Sequence, residues 1–205
     1  MAPRLPGKFL RERYLAGSGV PVYVDVGHDA TGRAKRRVLA LAKGLGATRV
    51  GAMEVSFAQE TELDHFSEHF VYPLIVAAIQ VAYETLVEEG YDPEAVLMEL
   101  HGSGELGEVL LEAGHIGLHK MIETLASPAC QFGIYSYAPR LFPQEMRRMV
   151  KDVVREIRDG SFARQLVSEQ QQDYPTLKTM KEAARSDALA ASEARLRQLI
   201  RFERK

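Results

Sequence analysis

Strand-forming runs stop early in this chain, and that limits its fold more than any other feature of the sequence. Residues 20–26, VPVYVDV, are a β-branched run followed by the turn signal DATG at 29–32. Residues 33–44, RAKRRVLALAKG, then set Val38, Leu39, Leu41 and Ala42 at helical spacing with Gly44 as a stop, and TRVGAMEV at 48–55 reads as a second strand. A strand, a helix and a strand in that order make a parallel pair, which normally belongs to a sheet covered by helices on both faces. Two parallel strands cannot bury themselves. The rest of such a sheet is therefore expected to be missing from the chain or supplied by another one.

Beyond residue 56 the pattern is helical, from about Glu62 to Gly90, Pro93 to His101, Glu105 to Ala113 and Ile116 to Leu125. The stretch SPACQFGIYSYAPRLFP reads as irregular, a helix follows near Gln144–Asp159 with Gly160 as its stop, and Thr176–Arg204 reads as a polar tail with helical potential. The expected fold class is mainly α, with a partial α/β segment over 1–56 and a helical domain over 57–205. The most apolar segment, Phe70–Tyr83, is too short to span a bilayer core of ~30 Å and is expected to be a buried core helix.

With 46% apolar residues the chain has enough hydrophobic material for a real core. A net charge of −2 argues against a general nucleic-acid or membrane-surface binder. The single cysteine, Cys130, excludes an intrachain disulfide and a cysteine-cluster metal site, and is expected to be a small buried residue in a reducing, cytoplasmic setting. MAPRLPGKFLRERY has no apolar central run of the kind a signal peptide needs.

ELHGSGELGEV, residues 99–109, places Gly102, Gly104 and Gly107 in the spacing G-x-G-x-x-G, the fingerprint of a dinucleotide loop. That fingerprint requires a strand before it. Here Asp92 is a good N-cap, Pro93 suits the first helical position and Glu94 favours the first turn, so the preceding segment is expected to be helical and the glycines to separate two helices.

ETELDHFSEHF, residues 60–70, is dense in groups that hold metals. Asp64 and Glu68, four apart, share a helix face and suit a hard cation such as Mg²⁺. Glu99 emerges from the apolar AVLMEL, where an acid is costly unless paired or coordinated. His65-x-x-Glu68-His69 also matches the H-x-x-E-H pattern of inverted zinc peptidases, in which two histidines bind Zn²⁺ and the glutamate is the general base. His115 and His119 form a second pair at i, i+4, with a helix-surface role as the alternative. His28 and His101 support nothing specific alone.

Read together, GVPVYVDVGHDATG, AKGLGATRVGAMEVSFAQETELDHFSEHF, AYETLVEEGYDPEAVLMEL and EIRDGSFARQLVSEQQQDYPTLKTM resemble ketol-acid reductoisomerase, also called acetohydroxy acid isomeroreductase, in collinear order over nearly the whole chain. The resemblance implies the end of a Rossmann NADPH-binding domain over 1–56. A knotted all-helical domain, similar to the C-terminal domain of 6-phosphogluconate dehydrogenase, is implied over 57–205. It also implies Mg²⁺-dependent alkyl migration followed by NADPH reduction of 2-acetohydroxy acids in branched-chain amino-acid biosynthesis, carried out by an intertwined homodimer.

The family's E-T-x-x-D-x-x-x-E motif puts metal-bridging acids on Asp64 and Glu68, and the acid ending its next helix on Glu99; Glu68 and Glu99 would be catalytic through the ions they hold. Where the family has a further glutamate one turn on, this chain has His101-Gly102-Ser103-Gly104, with Glu105 the nearest acid. A substrate-contacting serine of the family, ahead of the block resembling ACQFG at 129–133, falls near Leu125, with Thr124 and Ser127 as substitutes. The Rossmann phosphate loop has no counterpart, so the isolated chain is expected neither to bind NADPH tightly nor to reduce a substrate. Two alternatives stand beside this: a non-catalytic dimeric helical module, and the zinc peptidase.

Overall fold

The computed structural model describes residues 1–200, which divide into two units, Met1–Ser67 and a second that begins at Glu68, each with its own internal contacts. In the first unit, strand β2 (Val22–Val24) lies between β1 (Ala2–Pro3), to which it is antiparallel, and β3 (Ala52–Glu54), to which it is parallel. The register pairs Ala2 with Tyr23 on one side and Tyr23 with Met53 on the other. The parallel pair is the expected one; β1 is a third strand that two residues were too few to announce. Helix α1 (Gly7–Leu15) also went unforeseen, and it buries no residue.

Helix α2 (Ala34–Gly44) crosses between the parallel strands and packs Ala42 and Val38 onto Val22, Val24 and Ala47. Its first turn is capped by Asp29, whose carboxylate accepts bonds from the N–H groups of Thr31, Arg33 and Ala34 at 3.2, 3.0 and 3.2 Å. All three residues of β3 are exposed, so this small sheet is buried on β2 and bare beyond it.

Helix α3 (Phe57–Phe66) starts at Ser56, whose hydroxyl accepts the N–H of Gln59, and the N–H of Phe57 bonds Asp25 at 2.9 Å. The helical path continues through a π-helical turn, Ser67–Val71, into α4 (Tyr72–Glu88), 32 residues in all. By length and composition this segment can cross a membrane, and only Tyr83 in α4 is buried. The expectation of a buried core helix is therefore corrected: Tyr72, Val76 and Val81 are each more than 60% exposed. Among the described residues nothing covers the apolar stripe, because the helices that pack on α4 meet it around Tyr83.

The second unit continues with α5 (Pro93–Leu97), a π-helical turn Met98–Gly102, α6 (Glu105–Ile116), α7 (Leu118–Leu125), α8 (Pro128–Leu141), α9 (Gln144–Arg158), α10 (Ser161–Gln171), α11 (Pro175–Arg185) and α12 (Ala188–Leu199). The stretch read as irregular is helix α8. Its start follows ordinary rules, with Ser127 accepting the N–H of Cys130 and Pro128 in the first turn, while Gly133 and the internal Pro139 masked it. Cys130 is exposed, not buried, because α8 buries no residue at all.

The supposed polar tail is α11 and α12, with residues 201–204 of that stretch outside the described residues. Far from being a loose appendage, α12 completes the core: Leu196 joins Tyr83, Val96 and Leu97 in one buried cluster, with Leu189, Met98 and Leu100 packed against it. The one buried polar residue in the described chain, Ser192, shares a 2.8 Å hydrogen bond with the Tyr83 hydroxyl, which also donates to the Ala188 carbonyl at 3.2 Å. The Arg195 guanidinium donates to Ser192 Oγ at 2.6 Å and pairs with Glu94 of α5. Three helices, α4, α5 and α12, are thereby tied by a polar network in which the buried hydroxyl is satisfied.

Candidate metal centre

Two of the three acids singled out in the second unit sit in π-helical turns. Glu68 lies in Ser67–Val71 and Glu99 in Met98–Gly102. A π turn inserts one extra residue into a helix, costs backbone geometry, and recurs at functional positions. Around Glu99, Val96 and Leu97 are buried, Met98 and Leu100 pack on the core, His101 faces α12, and Glu99 is turned out to solvent. The desolvation cost expected of an acid in AVLMEL that is neither paired nor coordinated therefore does not arise, because the side chain is exposed.

The glycines after Glu99 have separate roles. A Cβ on Gly102 would stand 2.7 Å from Leu196 Cδ2 and 2.9 Å from the Leu97 carbonyl oxygen, so α12 approaches the turn only because residue 102 has none. Gly104 adopts φ +84°, the left-handed conformation that ends the turn and opens α6. Gly107 has nothing near it. A helix precedes these glycines, as the N-cap chemistry predicts, with the Asp92 carboxylate accepting from the N–H of Ala95 at 2.9 Å. The stretch is no dinucleotide loop.

In the first unit the Asp64 carboxylate accepts from the Arg4 guanidinium at 2.5 Å, and the same guanidinium bonds Glu60 at 2.9 Å. Partial burial works against the charged guanidinium, but Asp64 and Glu60 outweigh it and hold Arg4 above its ordinary pKa. Asp64 thus already faces a positive charge. Arg4 is a partner that no spacing rule foresees, since it lies 60 residues away in sequence.

Glu105, in the first turn of α6, is exposed. Thr124 bonds the carbonyl of Lys120, and Ser127 is occupied as the cap of α8, so both hydroxyls have structural partners. Among the described residues no group of three or more histidine, cysteine, aspartate or glutamate side chains converges to hold a metal. His115 and His119 do not act as a helical pair, because Gly117 at φ +94° breaks the helix between them. His115 instead pairs with Glu112, and His119 stacks on Tyr135. The ring of His69 lies 3.9 Å from that of Phe162.

A cleft of about 240 Å³ opens at the carboxyl ends of β2 and β3, lined by Tyr23, Val24, Asp25, Val55, Phe57 and Glu60. Open α/β sheets take their ligands at this end of the strands.

These features define a class: a mainly α protein in which the closing part of a parallel α/β unit precedes a helical unit with solvent-facing acids on π turns. Residues 57–202 match the family model for the ketol-acid reductoisomerase C-terminal domain, and residues 1–51 match that for the acetohydroxy acid isomeroreductase NADPH-binding domain. The chain belongs to the ketol-acid reductoisomerase family.

Among its relatives, "Ketol-acid reductoisomerase (NADP(+))" of Pyrobaculum aerophilum is 36% identical over 201 residues, 98% of this chain and 60% of the relative. The protein of the same name from Pyrobaculum calidifontis is 35% identical over the same shares. A solved structure titled as an NADH-preferring ketol-acid reductoisomerase from an uncultured archean superposes with a TM-score of 0.89 at 29% identity, over 98% of this chain and 60% of that one. The chain therefore spans about 60% of the length of the relatives it matches.

Proposed function

We propose that this chain serves the reaction of its family: Mg²⁺-dependent alkyl migration in a 2-acetohydroxy acid followed by reduction with NADPH, in branched-chain amino-acid biosynthesis in the cytoplasm. The observation that carries this reading is the collinear match over 98% of the chain with the acidic motif intact at Asp64, Glu68 and Glu99. The donor set fits the ion, being hard carboxylate oxygens without a required sulfur or imidazole. Magnesium, when bound, supplies Lewis-acid polarisation of the substrate's carbonyl and hydroxyl oxygens.

The chain's own part is to present those acids. Asp64 and Glu68 follow one another on a continuous helix, Glu99 projects from its own turn, and Glu105 stands next in sequence as a fourth donor. Asp64 is held by Arg4, which must share or release it when a metal competes. Reduction requires NADPH, the nucleotide in the description of the domain matched by residues 1–51. The zinc-peptidase alternative has nothing further in its support: family membership accounts for Glu68 without it, and no third ligand joins the pair among the described residues.

The same reading makes the protein a homodimer. Its accessible surface is 15,382 Å², whereas a folded monomer of 22.9 kDa exposes roughly 9,600 Å² by the usual size scaling. Large apolar residues contribute to the surplus, with Tyr72, Val76, Val81, Phe132, Tyr137 and Leu141 all more than 60% exposed, and exposed apolar patches of this kind mark protein interfaces.

The experiment is to assay the purified chain with 2-acetolactate, Mg²⁺ and NADPH, following NADPH absorbance, beside Glu68→Gln and Glu99→Gln. The chain by itself is expected to bind Mg²⁺ through these acids, with both changes weakening that binding, and to reduce little or no substrate. Turnover that both changes abolish would extend the reading to the whole reaction, and no magnesium binding at all would favour the non-catalytic dimeric module.

A further inference from the structure

Glu99 is carried on a turn whose first residues pack into the buried core and whose last residues meet α12, the helix that completes that core. Met98 and Leu100 pack into the cluster around Leu97 and Tyr83. Leu196 of the same cluster lies against Gly102, and His101 Nε2 is 3.0 Å from Glu193 Oε1, both side chains about 30% exposed. A carboxylate only accepts, so the imidazole proton is on Nε2. That leaves His101 Nδ1 buried and, among the described residues, without a hydrogen-bond partner. A native structure that tolerates an orphaned buried nitrogen does so when something else is gained. Arg197 Nη1, at 3.5 Å from Glu193 Oε2, steadies the carboxylate from its other oxygen.

We propose that the His101–Glu193 hydrogen bond is a latch that keeps the π turn wound, and that both are positioning residues for Glu99. The inference rests on the reading of Glu99 as a metal ligand. Its physical basis is the geometry of the turn. The Ser103 N–H reaches the Met98 carbonyl at 3.0 Å, the wide i to i+5 bond of a π turn. Letting the turn relax to α-helical winding would rotate the residues around Glu99 by as much as ~100°, the angle of one residue in an α-helix, and swing the carboxylate away from its present direction. The core contacts of Leu97 and Leu100 fix where the turn begins. The contacts of His101 and Gly102 with α12 fix how it ends.

Outer partners of this kind orient a metal ligand without touching the ion, and their loss typically lowers metal affinity 10–100-fold. The test uses the full 205-residue chain and Mn²⁺ as the probe, with free Mn²⁺ read by electron paramagnetic resonance well below the unfolding temperature. Glu193→Ala and His101→Ala should each weaken binding about tenfold. Glu193→Gln, whose amide oxygen still accepts from Nε2, should restore affinity to within about twofold of the parent. A contact that only stabilises the fold would lower the melting temperature and leave the affinity of the folded protein unchanged.

A loss of less than threefold in both alanine variants overturns the latch, as does a loss that glutamine fails to restore. Where an alanine variant is too unstable to purify, Glu193→Asp, shortened by one methylene but still charged, must show the loss instead. Glu99→Gln separates the two layers. If it leaves Mn²⁺ binding intact, the metal-ligand reading itself fails; if it abolishes binding while the latch variants do not, only the latch fails.

Discussion

Replacing Gly102 by alanine tests the packing of α12 on the Glu99 turn. The new Cβ would sit 2.7 Å from Leu196 Cδ2, 2.9 Å from the Leu97 carbonyl oxygen and 3.3 Å from its carbon. Leu196 can swing its methyl aside, but Leu97 is fully buried and its carbonyl is backbone, so the turn itself must shift. Overpacking of this kind costs about 1–3 kcal/mol. The entropy gained by replacing glycine returns about 0.4–1 kcal/mol. The net expectation is a loss of about 1–2 kcal/mol, or roughly 2–8 °C in melting temperature for a chain of this size.

The other glycines of the same spacing provide the internal control. Gly107→Ala, in the first turn of α6 with open space for a Cβ, should stabilise by up to about 0.5–1 kcal/mol. Gly104→Ala should destabilise by about 1 kcal/mol or more through its φ of +84°, with no clash involved. Urea unfolding followed by far-ultraviolet circular dichroism, at one protein concentration, measures all three. Equal shifts for Gly102→Ala and Gly107→Ala would refute the reasoning, because the close approach of α12 would then have no energetic consequence.

Tyr83→Phe removes the hydroxyl that joins Ser192 and the Ala188 carbonyl, and should cost about 1–2 kcal/mol, most of it the unsatisfied buried partner; a neutral result in the same urea assay would mean that water replaces the hydroxyl. Asp29 has a lowered pKa: slight desolvation opposes ionisation, but the N–H groups of Ala34, Thr31, Arg33 and Gly32 outweigh it. Its stabilising contribution is therefore complete above the ordinary carboxylate pKa and is lost as pH falls through the lowered folded value, so the stability gap between the parent and Asp29→Asn should shrink between pH 6 and pH 3. A gap that widens on acidification would reverse that sign. Arg4→Gln frees Asp64 from its guanidinium partner and should tighten Mn²⁺ binding severalfold by titration, whereas unchanged affinity would show that Arg4 and metal do not compete.

Local chemistry reads directly from sequence where a signal is carried by neighbours in the chain. The parallel pair β2 and β3, the helix between them, the Asp92 cap and the break at Gly104 all follow from turn residues, caps and periodicity over a few positions. The acids at Asp64, Glu68 and Glu99 were legible as a motif, and the family as a whole through several collinear blocks. Helix α8 was hidden because Gly133 and Pro139 are breakers by composition, and the helix forms despite them.

What only the tertiary structure decided is which faces are covered. Residues 188–199 look like a polar, solvated segment, yet Ser192 and Leu196 are among the most buried side chains described, since α12 folds back onto α4 and α5. Phe70–Tyr83 looks like core and is largely bare, since hydrophobic pattern specifies that a face must be covered without specifying by which chain. The π turn at Met98–Gly102 belongs to the same class of fact. One inserted residue has no signature in composition or period, and on this turn Leu97, Leu100, His101 and Gly102 all meet partners distant in sequence. The sequence alone determined that Glu99 is an acid among apolar neighbours; packing determined that it faces solvent, because burying its neighbours on two sides leaves that side chain the one free direction.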